Sequence, residues 1–181
     1  MGISRRTIMK YGLGGAVVLT IGGTGLALRS TVPVAPHRPL SALSDREFSI
    51  LAAVTETILP GGDGFPTARE VEVAERVDEA LAACHVGIQK EFRQVLGLLE
   101  SALAGFLLGG RISTFSSLPP EGRAEVLDSW RTARISLFRT AFKALHGLIA
   151  ASYYSTEMVH TRIGYPGVPS WVTEIRLRGT E

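Results

Sequence analysis

A chain of 181 residues with 19 Lys plus Arg against 17 Asp plus Glu has a formal net charge of only +2, and its first 28 residues hold three of the cations and no acid. What remains, 16 basic against 17 acidic side chains with no basic run, is close to neutral and excludes an electrostatic nucleic-acid binder. Cys84 is the sole cysteine, which excludes an internal disulfide and any cysteine-rich metal or iron–sulfur centre built from this chain alone.

The chain opens with Ser4, Arg5, Arg6, Ile8, Met9 and Lys10, followed by the uncharged run Tyr11–Leu28. A charged flank before an apolar run is the layout of an export leader, and this spacing resembles the twin-arginine pattern of bacterial signals, an address read by the twin-arginine translocase. Glycines at 12, 14, 15, 22, 23 and 25 lower the helix propensity of the run. Eighteen helical residues rise about 27 Å, close to the roughly 30 Å hydrocarbon core, so residues 11–28 anchor the chain if they are retained. If they are removed, the best small-x-small cleavage site is Gly25-Leu26-Ala27. Both routes put the body outside the cytoplasm, in the periplasm or on the outer face of the cytoplasmic membrane. A plain membrane anchor is the alternative.

Residues 29–43 carry three prolines and little periodicity, which predicts an extended linker between the 1–28 segment and a single domain over 44–181. Ser44 and Glu47 form a capping-box signature, and Phe48, Leu51, Ala52, Thr55, Ile58 and Leu59 follow at helical spacing up to Pro60. The stretch Pro60–Pro66, PGGDGFP, predicts a loop. Thr67 and Glu70 repeat the capping box before a second helix ending near Ala83, and a third apolar-periodic run extends from about Ile88 to Leu108, where Gly109 and Gly110 stop it. Ser117, Pro119 and Pro120 open a fourth helix and Ser136–Tyr154 supplies a fifth. The remainder, from about Arg162, predicts an irregular tail with Tyr165 and Trp171. The expected fold is all-α, a single irregular bundle of about five helices with an extended C-terminal tail.

Few residues suggest chemistry. Glu157 and His160 are spaced as in a di-iron helix pair, but such a centre needs a second pair, and neither His85 nor His146 has a carboxylate three residues before it. GGDG in the first loop has one carboxylate and no nearby lysine, too little for calcium or phosphate. His146, within an apolar helix, reads as a core or interface histidine. No catalytic, cofactor-binding or metal-binding residue is assigned. Tyr153, Tyr154, Tyr165, Pro166, Gly167, Pro169 and Trp171 concentrate rigid aromatic surface near the C-terminus and form a candidate partner interface, with packing of the tail on its own bundle as the equal alternative. In an oxidising compartment Cys84 is either buried or bridged to another chain as an intersubunit disulfide.

Taken in order, the leader SRRTIMK, a first helix running into ETILPGGDGFPTARE, a helical body and YYS followed by GYPGVP resemble the gluconate 2-dehydrogenase subunit 3 family over Ser44–Pro169. The resemblance implies a small accessory subunit of a membrane-associated flavin dehydrogenase. Its large partner holds FAD and oxidises a sugar, sugar acid or other alcohol, and a multihaem c-type cytochrome often accepts the electrons. It further implies that this chain carries the export signal for both subunits. The stretch Phe65, Pro66, Thr67 and Ala68 departs from the small residue and PGA of relatives, so the partner's substrate does not carry over. A stand-alone exported enzyme or ligand-binding helical protein, with a pocket between its helices, is the competing class.

Overall fold

The computed structural model describes residues 33–101 and 113–167, and among them the regular structure is helical: six α-helices and one 3-10 turn, with no strand. Helix α1, Asp45–Ile58, begins at the expected capping box, where Ser44 N–H donates to Glu47 Oε2 at 2.9 Å and Ser44 Oγ accepts from Glu47 N–H at 3.4 Å. Every residue from Phe48 to Thr55 is buried, so α1 is enclosed all round over its middle turns and forms the centre of the bundle, in contact with three other helices.

Helix α2, Val73–Ala82, starts five residues later than the second capping box suggests. The Thr67–Glu70 box does form, with Glu70 Oε2 accepting from Thr67 N–H at 2.6 Å, but it closes only a turn. Glu72 then sits at φ 51, in the left-handed region, and breaks the helix before it can propagate. Helix α3, Val86–Glu100, is capped by His85 Nδ1, which accepts from Gly87 N–H at 3.1 Å. It stops at Glu100 instead of continuing to 108, because Ser101 is extended (ψ 127) and Glu100 is turned inward. That carboxylate, 1% exposed, accepts from Ser116 N–H at 2.9 Å and Ser116 Oγ–H at 2.6 Å, fixing the 3-10 turn Phe115–Ser117 against α3. Leu103, Phe106, Leu107, Gly109 and Gly110 lie outside the described residues.

Helix α4, Pro120–Thr132, has its proline at the first helical position, and α5, Ser136–Tyr154, packs against both α2 and α4 and joins them in one core. Trp130 is fully buried edge-on to Phe138, ring centroids 5.1 Å apart. Between α5 and the irregular tail lies a helix that the sequence reading did not separate, α6, Glu157–Ile163, closed by Gly164 at φ 68 with Tyr165 N–H donating to His160 O at 3.0 Å.

Residues 33–43 are extended, as their prolines require, yet they form a strap bound to the bundle. Buried Asp78 on α2 accepts from three successive amides, Ser41 at 2.6 Å, Ala42 at 3.0 Å and Leu43 at 2.8 Å. Glu75 accepts from His37 N–H at 3.2 Å, Arg38 pairs with Glu79 at 2.7 Å, and Val34 N–H donates to Ser49 Oγ on α1 at 3.0 Å. Among the described residues no helix is long and apolar enough to cross a membrane; the 11–28 segment lies outside them.

Candidate functional site

The loop after α1 is built from residues that tolerate positive φ. Asp63 (φ 51) and Gly64 (φ 83) occupy the two central positions of a tight hairpin held by Gly62 N–H to Phe65 O at 3.2 Å and Phe65 N–H to Gly62 O at 2.9 Å. Two consecutive left-handed residues are what a two-residue primed turn demands, hence Asp-Gly. Gly61 is left-handed too, and a Cβ there would lie 2.8 Å from Thr67 Cγ2.

The hairpin rests on the C-terminal elements. Tyr153 donates its hydroxyl to Pro66 O at 2.8 Å across 87 residues of sequence, and the Arg162 guanidinium of α6 lies over Gly64. The first proline–glycine segment is therefore a neighbour of the α5–α6 end, far from it in the chain. Burial raises the Tyr153 phenol above its ordinary range, helped by Tyr154 and Glu70 nearby, while Thr67's N–H and hydroxyl hold the Glu70 carboxyl below its own.

This convergence sorts the aromatic residues expected at an interface. Tyr153 is only 4% exposed and belongs to the core, because its position on α5 faces the hairpin; it is not available to a partner. Tyr154, its neighbour around the helix, is 50% exposed and Tyr165 is 44% exposed, with Pro166 also exposed and Gly167 half-buried at φ 89. Pro169 and Trp171 lie outside the described residues. The surface also includes Phe65, Met158 and Ile163, all exposed, which sequence reasoning did not assign. Phe65 was legible as an apolar residue at a hairpin tip, whereas Met158 and Ile163 gave no signal without α6.

The remaining candidates separate. His160 Nε2 donates to Tyr154 O at 2.6 Å and its ring lies 4.7 Å from Tyr165, so it braces this surface, while Glu157 is exposed on the same helix. No group of three metal-ligating side chains occurs among the described residues. His146 is exposed beside the Phe142 ring, and so is not in the core. Cys84 is half-buried, its thiol donating to Ala80 O at 3.3 Å. A cleft between the strap and α1, lined by Val34, His37, Phe48, Thr55 and Glu75, encloses about 20 Å³, room for about one water.

Comparison with known proteins gives one result. The family model described as Gluconate 2-dehydrogenase subunit 3 matches residues 45–167, and the chain belongs to that family. No curated protein and no solved structure matches the chain.

Proposed function

We propose that this member of the gluconate 2-dehydrogenase subunit 3 family is a non-catalytic small subunit that binds and stabilises an FAD-dependent sugar or alcohol dehydrogenase. The observation that supports this reading best is the convergence of the hairpin and the α5–α6 end into one exposed aromatic surface of Phe65, Tyr154 and Tyr165. Large rings on a backbone held by a primed turn and a glycine-closed helix bury area at small entropic cost, which suits a protein contact better than chemistry. FAD belongs to the partner, and a multihaem c-type cytochrome takes its electrons.

The leader completes the proposal. A flavin subunit folded around FAD in the cytoplasm needs a route for folded cargo, and Ser4–Lys10 supplies the address for both chains. Co-expression with a neighbouring flavin oxidoreductase that lacks its own signal tests the whole reading. The wild-type chain should co-purify with it outside the cytoplasm, and a chain with Tyr154→Ala and Tyr165→Ala should not. Capture at full strength by the double variant would remove this surface from the interface.

A further inference from the structure

Resting on the reading of this surface as the dehydrogenase contact, we propose that Arg162 is its ionic anchor, receiving a carboxylate of the dehydrogenase subunit on the edge of its guanidinium. The placement of the group over Gly64 carries the inference. A Cβ built on Gly64 would meet Nη1 at 3.3 Å, Cζ at 3.5 Å and Nη2 at 3.8 Å. Approached in its plane from the Nη1–Nη2 edge, with C–N bonds of about 1.3 Å, the central carbon would stand farther than both nitrogens, about 0.7 Å beyond the nearer one. The three distances are nearly equal, so the guanidinium lies face-on against the glycine.

That geometry has a chemical consequence. Guanidinium donors radiate in the plane of the group, in a fork that matches a carboxylate. With one face toward the hairpin, the donors lie in a plane that runs alongside the backbone, open at its edge. Arg162 is exposed, and it makes no hydrogen bond or ion pair among the described residues, although Asp63 stands next to Gly64 in the same turn. Arg38 is engaged with Glu79, Arg123 with Leu118 O and Ser116 O, and Arg131 with Asp128. Arg162, like Arg69 and Arg134, has no side-chain partner among the described residues; what sets Arg162 apart is its place against the hairpin. Arg162 is thus a cation without a partner among the described residues, set among exposed Phe65, Ile163 and Tyr165, and apolar neighbours that exclude water on docking strengthen the pair it would form.

Binding of the full chain to the dehydrogenase subunit, measured against salt, tests this. Arg162→Glu should weaken the complex by at least about 10-fold and flatten the salt dependence, with Arg162→Lys between it and the wild type. If Arg162→Glu binds like the wild type while the Tyr154→Ala, Tyr165→Ala chain binds weakly, the anchor is refuted and the interface stands. If both bind at full strength, the interface reading itself falls. A third result also overturns the anchor: Arg162→Glu lowers the melting temperature of the isolated chain, and truncation after Gly167 abolishes that effect. The guanidinium would then serve Glu174 or Glu181 of this chain.

Discussion

Replacing Asp78 by alanine removes one carboxylate and leaves the amides of Ser41, Ala42 and Leu43 without their acceptor. A hydrogen bond to a charged group contributes about 1.5–3 kcal/mol, but three bonds to one carboxylate are not additive, and the strap can detach and rehydrate its amides. The loss is therefore capped by the free energy that holds the strap. That free energy also includes burial of Leu43, which is 7% exposed, so about 3 kcal/mol is expected in total. For a domain of this size that lowers the melting temperature by roughly 10 °C. Asp78→Asn should cost less than this, since its carbonyl oxygen still accepts from Ala42 and Leu43 and only the Ser41 N–H, which now donates to Oδ2, would face the amide nitrogen. Amide hydrogen exchange reads the local event: Ser41, Ala42 and Leu43 should lose protection in the alanine variant while α1 and α5 keep theirs. Unchanged protection at 41–43 would show that Asp78 does not hold the strap.

Gly61→Ala forces a left-handed Cβ to within 2.8 Å of Thr67 Cγ2 and 3.1 Å of its backbone nitrogen, so thermal denaturation should show a loss of about 2–3 kcal/mol. Gly97→Ala, in an exposed helical position with nothing within 4 Å, should instead stabilise by about 0.5–1 kcal/mol in the same assay. The raised Tyr153 phenol contributes stability that is complete below about pH 10 and lost as pH rises through the raised value; Tyr153→Phe should remove that alkaline loss and cost about 1 kcal/mol at neutral pH, as pH-dependent denaturation will report. Glu70 acts in the opposite sense, its contribution present above the ordinary carboxylate range and lost as pH falls through its lowered value, which Glu70→Gln should abolish in acid titrations. Changing Arg5 and Arg6 together to Lys should hold the body in the cytoplasm by cell fractionation, and normal export would refute the twin-arginine assignment.

Helix α1 was legible because capping box, apolar run and proline stop all agree on it. The start of α2 was not, since Thr67–Glu70 satisfies the same local pattern and only the left-handed Glu72 decides that it is a turn. The end of α3 was hidden for a related reason. Apolar periodicity continues past Glu100, but the carboxylate's tertiary partners, Ser116 N–H and Oγ, set where the chain turns. At the surface, composition identified the aromatic cluster but could not separate adjacent Tyr153 and Tyr154, which one helical step sends to the core and to solvent. The strap was the largest omission: three prolines signalled extension, while its fastening depends on an acid 35 residues away from Leu43.

That fastening also determines how the molecule bears tension. A pull on the chain ahead of Val34 meets the Ser49 contact first, then the contacts of His37 with Glu75 and Arg38 with Glu79, and last the Asp78 amides. These three bonds converge on one side chain, so the last hold on the strap before α1 rests on a single carboxylate. Below their breaking force α1 takes load through Ser49 but little along the chain beyond Leu43, and above it the strap peels away from a helical body whose core is still closed. The carboxylates of α2 thus work as a strain relief, protecting the fold from whatever drags on its N-terminal end.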